Sequence, residues 1–250
     1  MNAKTTLSLA RWTFGETCRP SALAGLAIVV LVLAVIATFF SQLAIIESAS
    51  FFTASYIAIA RIAAMLLLAV TVATSVQREI DSGHLAFVLS RPVSRIDWYA
   101  GRSLGFFALA ALLGFALSIP LLSATTAQVL QWALILSCEL CIVAAASFAF
   151  VLTLRNVALT IAAVAAFYTL ARSIEALVLM GAGPLAHEHG VWGVAVQWLA
   201  VLLPNLSAFA GSNILLQADS TGMVFVAVQT LVYAVLLTAL GMIDCVRREL

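Results

Sequence analysis

Six apolar runs, each long enough to cross a lipid bilayer and each set off by charged or turn-forming residues, dominate this chain. They fall at about 21–46, 53–76, 104–124, 129–152, 157–180 and 222–243. A hydrocarbon core of about 30 Å needs about 20 apolar residues in a helix, and every run supplies them. The runs are continuous, not alternating segments of about ten residues, which selects helices over a β-barrel. Apolar residues make up 64% of the 250 and charged ones 9%, far from the roughly 45–50% and 25% of globular chains. A chain of this size cannot hide so much apolar surface from water, so lipid is its solvent. The expected fold is all-α: a polytopic membrane protein whose single transmembrane domain covers residues 1–250.

The few charges orient the spans. Six crossings put Lys4, Arg11, Arg19, Arg78, Arg91, Arg95, Arg102, Arg155, Arg247 and Arg248 on one side, and the opposite loops carry Glu47, Glu188 and Asp219. This is the positive-inside pattern, with both termini cytoplasmic in a bacterial inner membrane. A further apolar piece, Val191–Leu203, has only thirteen residues. It suits an interfacial or re-entrant element of an outer loop at 181–221, because a seventh span would put Arg247 and Arg248 outside. Residues 3–18 are expected to form an interfacial helix with Trp12 at headgroup level, although its polar and apolar faces are not cleanly separated. Nineteen mixed residues ahead of a long first span do not read as a cleavable signal peptide. Trp12 and Trp98 toward the inner face, and Trp132, Trp192 and Trp198 toward the outer, fit aromatic belts.

Composition also excludes chemistries. Lys4 is the only lysine, so no Gly-rich loop ending in Lys-Ser/Thr lies downstream of it and the chain holds no P-loop ATP site. A net charge of +1 gives no footprint for nucleic acid. Cys18, Cys138, Cys141 and Cys245 are too sparse for a secreted disulfide framework and are expected reduced.

The connection at 77–103, QREIDSGHLAFVLSRPVSRIDWYAGRS, holds seven of the charged residues, more than any other connection. Asp81 or Ser82 can cap a short helix over His84–Ser90, with Leu85, Phe87, Val88 and Leu89 apolar, and Pro92 ends it. Ser94-Arg-Ile-Asp97 then has capping-box spacing and starts the third span. The bland role for this stretch is a solvated basic loop that anchors topology.

Glu79-x-x-x-Gly83-x-Leu85-x-x-x-Leu89-Ser90-Arg91-Pro92-Val93-Ser94-Arg95, followed by Tyr99, Gly101-Arg102 and Gly105, resembles the cytoplasmic segment of ABC exporter permeases of the type II export class. Pro204-Asn205-Leu206-Ser207-x-Phe209 ahead of the last span is similar to a second stretch of that class. His84 and Arg102 stand where that class usually has Thr and Lys. The resemblance implies that residues 77–103 carry a coupling helix seated in a groove of a separate ATPase subunit. Leu85, Val88 and Leu89 would pack into that groove. Glu79, Asp81, Arg91 and Arg95 would make rim contacts, and Gly83 and Pro92 would bound the helix. It further implies a homodimer, or close heterodimer, of permeases with two ATPase copies. Such an assembly sits in membrane lipid with room for an extracytoplasmic accessory protein, and exports an unspecified substrate. ATP and Mg would be bound by the ATPase; this chain is expected to be no enzyme, with no cofactor, no metal and no catalytic residue of its own.

Arg61, Glu139, Arg172 and Glu175 lie within spans, where an isolated charge costs about 2.5–3.5 kcal/mol and must face protein or water. At about 1.5 Å rise per residue, Arg61 and Glu139 sit at similar depth, and Arg172 and Glu175 share a face in the outer half of the fifth span. Two roles stay open: an interhelical ion-pair network, or the lining of a translocation path for a charged substrate. Cys138-Glu-Leu-Cys141 reads as a pair of small apolar residues mid-helix, with a membrane thiol oxidoreductase as the rival. An ATP-independent carrier built on Glu139 is the other rival. His187-Glu-His189 reads as solvated loop, and Gly211-Ser212 lacks a partner base for an intramembrane protease.

Overall fold

The computed structural model describes residues 3–43, 48–82, 94–122, 125–181, 198–200, 203–207, 209 and 221–247. Their main elements are seven α-helices: α1 (Ala3–Thr17), α2 (Pro20–Gln42), α3 (Ser48–Asp81), α4 (Arg95–Ser118), α5 (Thr126–Leu154), α6 (Val157–Gly181) and α7 (Thr221–Arg247). A 3-10 turn, Ile119–Leu121, extends α4. Six helices, α2 to α7, are long and apolar enough to cross a membrane. The chain is thus an all-α, multi-pass membrane protein. The helices outrun the apolar runs in the connection after α3: α3 continues to Asp81 and α4 already begins at Arg95.

Helix ends follow local chemistry. Pro20 starts α2, where its missing N–H and fixed φ cost nothing. Ser94 caps α4 by accepting from the Asp97 N–H at 3.0 Å, one half of the expected capping box. Asp81 closes α3 and accepts from Gln77 at 2.9 Å, and the short helix expected over 84–90 lies outside the described residues. Between α5 and α6 the chain turns in two residues. Arg155 takes the left-handed region at φ 49° and Asn156 accepts from the Leu159 N–H.

α5 is the axis of the bundle, with 78% of its apolar window buried, and α3, α4, α6 and α7 pack around it. α2 and α7 are peripheral, at 11% and 6%. Their outward Leu31, Val35, Phe39, Val228, Leu231 and Val235 have no protein over them among the described residues, as lipid-facing positions require. At the end of the bundle where α3 finishes and α4 begins, Tyr99 and Phe148 stack with ring centres 4.5 Å apart. α7 closes on the same end, with Asp244 accepting from Thr153 at 2.9 Å. Trp98 and Trp132 correct the belt assignment: both are buried in the protein, Trp98 against Phe148. Trp12 and Trp198 are exposed.

Candidate functional site

Charged side chains gather at two levels, both on α3. The lower cluster centres on Arg102, which has no exposed surface. Its Nη2 donates to Glu79 Oε2 at 2.5 Å and to Ser75 Oγ at 3.3 Å; its Nη1 donates to Glu16 Oε2 and Thr13 Oγ1, both at 3.3 Å. The guanidinium also lies 5.1 Å from the Trp12 ring centre and 5.5 Å from that of Phe106. One side chain thereby ties α1, α3 and α4 together. A planar fork of donors makes this possible; an ammonium would satisfy fewer of these partners.

α1 reaches Arg102 because α4 is smooth beside it. Gly101 and Gly105 form a Gly-x-x-x-Gly face. A Cβ at Gly101 would stand 2.7 Å from Leu9 Cβ, and one at Gly105 2.5 Å from Thr13 Cβ. No larger residue fits without moving α1. The N-terminal helix expected along the membrane surface is therefore docked on protein through α4.

The upper cluster joins α3, α5 and α6. Glu139, 1% exposed, accepts from the Tyr168 hydroxyl at 2.7 Å and from Arg172 Nη1 at 3.4 Å through Oε1. Its Oε2 stands 3.5 Å from Arg61 Nη1, an ion pair too long for a good hydrogen bond. Arg61, 3% exposed, donates through Nη2 to the Phe209 carbonyl at 2.7 Å. That carbonyl belongs to the Pro204-Asn205-Leu206-Ser207-x-Phe209 stretch. Leu206 and Phe209 are fully buried, and the Leu206 N–H bonds the Ala171 carbonyl on α6. Ser207 donates to Glu175 and to Asn205. The stretch thus closes over the charges, holding α6 with one end and Arg61 with the other.

Three of the four intramembrane charges meet: Arg61, Glu139 and Arg172. Glu175 does not join them; exposed on α6, it binds Ser207 instead. Of the residues expected on an ATPase rim, Glu79 is buried on Arg102, Asp81 is exposed and Arg95 is half-buried. Gly83, Leu85, Val88, Leu89, Arg91 and Pro92 lie outside the described residues, as do His187, His189, Trp192, Gly211 and Ser212. Sequence reasoning missed Tyr168, the Phe209 carbonyl and the hub role of Arg102. The Gly101/Gly105 pair flanking an arginine was the available signal for the last. The four cysteines are free, and no group of three or more metal-ligating residues occurs among the described residues.

No protein-family model and no curated protein matches this chain. What stands is the class: a polytopic all-α membrane protein with one charge cluster at the base of its bundle and another within the span region.

Proposed function

We propose that this chain is the membrane-spanning permease subunit of an ATP-driven ABC export system, with ATP hydrolysed by a separate subunit docked on the connection after α3. The observation that carries the reading is that one unbroken helix, α3, bears both charge clusters and ends at that connection. Arg61 and Glu79 are eighteen residues apart on it, about 27 Å at 1.5 Å per residue. A displacement imposed on residues 82–94 would be handed by Arg102 to α1, α3 and α4 as one body, and α3 would carry it to the Glu139 cluster.

Two copies of the chain, each with one connection and one ATPase, would make the working unit. The rival carrier built on Glu139 is less well supported, because that carboxylate is already engaged by Tyr168, Arg61 and Arg172 within the protein. The test is co-purification of the chain with an ATPase encoded beside it. Leu89→Asp and Gly83→Pro should abolish the association while leaving the permease folded. Association intact in both variants removes the coupling assignment.

A further inference from the structure

The geometry points to a binding site for an anionic amphiphile, a phosphate or carboxylate headgroup on an apolar tail, in the groove between α3 and α6. This groove, of about 360 Å³, is lined by Ala58, Arg61, Ile62, Met65, Tyr168 and Arg172 among others. Its rim is open, with Ile62 55% exposed and the Arg172 side chain 34% exposed.

Three observations select the ligand. The first is charge: the groove's cluster sets two guanidiniums against the single carboxylate of Glu139. Glu175 does not line the groove and is engaged by Ser207. Among the described residues of this cluster, positive charges outnumber negative ones by one, an imbalance that an anion would neutralise. The second is hydrogen bonding. Two guanidiniums bring about ten N–H donors, while the acceptors they contact among the described residues are the Glu139 carboxylate and the Phe209 carbonyl. Arg61 Nε, on a side chain 97% buried by its 3% exposure, has no acceptor among the described residues although Arg61 lines the groove. The third is the lining beyond the charges: Ala58, Ile62 and Met65 of α3 are apolar and open at the exposed Ile62, and the Thr169 and Ser173 hydroxyls of α6 are spent on carbonyls of their own helix, a wall that suits a tail more than a hydrated ion.

As a substrate site this assignment rests on the export reading above; the binding itself does not. The test therefore uses the purified full chain in an uncharged detergent with no ATPase, titrated calorimetrically with dioctanoyl phosphatidic acid, dioctanoyl phosphatidylcholine and inorganic phosphate. The acidic lipid should bind saturably and at least about tenfold more tightly than either of the others, the gain expected of charge-assisted hydrogen bonds. Arg172→Gln should lose about that factor, Arg172→Lys should keep most of it, and Glu175→Gln should change nothing. Thr169→Glu, which sets a carboxylate one turn from Arg172, should also abolish the preference and serves if Arg172→Gln does not fold. Equal binding of the two lipids overturns the headgroup assignment, and phosphate binding as tightly as the lipid overturns the amphiphile. An Arg172→Gln chain that elutes as wild type and binds unchanged overturns the site. Failure of the wild-type chain to co-purify with an ATPase, with lipid binding intact, would count against the export reading alone.

Discussion

Glu139 and Arg102 are each the single hub of their cluster, and each holds opposite charges that would be costly if stranded. Removing one partner of a buried pair leaves the other uncompensated, a loss of about 3–5 kcal/mol. Glu139→Gln should therefore lower the thermal midpoint of the detergent-solubilised chain sharply, because Arg61 stays buried beside a neutral amide. Arg172→Gln should cost no more than about 1 kcal/mol, since its side chain is partly exposed and its bond to Glu139 is long. Equal losses in the two variants would mean that Glu139 is not the hub. The depth match of Arg61 and Glu139 was legible from rise per residue, and so was the face shared by Arg172 and Glu175. That Arg172 turns inward to Glu139 while Glu175 meets Ser207 was not, because it depends on where the 203–209 stretch docks. Arg102 was legible only as a basic residue late in the 77–103 connection, beside Gly101; its burial requires knowing that α1 lies across Gly101 and Gly105.

The helices themselves divide by what defines their faces. α2 and α7 present apolar surface outward and need only length and hydropathy, which the sequence states directly. α1 is different: its faces did not separate cleanly because its packing partner is α4 rather than lipid alone. Gly105→Val should displace α1 through Thr13 and lengthen every contact of Arg102 on that side. The expected result is a stability loss of about 1–3 kcal/mol, the usual scale of overpacking, with cleavage of residues 3–17 by added protease. A variant with wild-type melting and protected α1 would show that this packing is dispensable. α3 gains its long reach from continuing five residues past the apolar run that predicted it, to Asp81. Four of those five residues are polar, so hydropathy stopped at Val76; Glu79 continues because Arg102 and Ser75 give its turn a buried partner network.

At the scale of the molecule, six helices able to cross would return the chain to its starting side, and the positive-inside rule applied to the arginines predicts that this side is cytoplasmic. Fluorescent-protein fusions at the C-terminal end of α7 should light up inside cells, whereas periplasmic-phosphatase fusions after Leu122 should be the active ones. The reverse result would invert the topology and set the connection after α3 on the wrong face for an ATPase. The sequence by itself determined the membrane character, the helical class and the six helices able to cross, because hydrophobic length is a local sum over some twenty neighbouring residues. Only the tertiary structure decided that Trp98 and Trp132 are core, that Arg102 is a buried clamp and that Glu139 stands between two arginines. Those outcomes turn on helix rotation and on which surfaces meet, and residues 23 to 89 positions apart in the chain have no local pattern that records their contact.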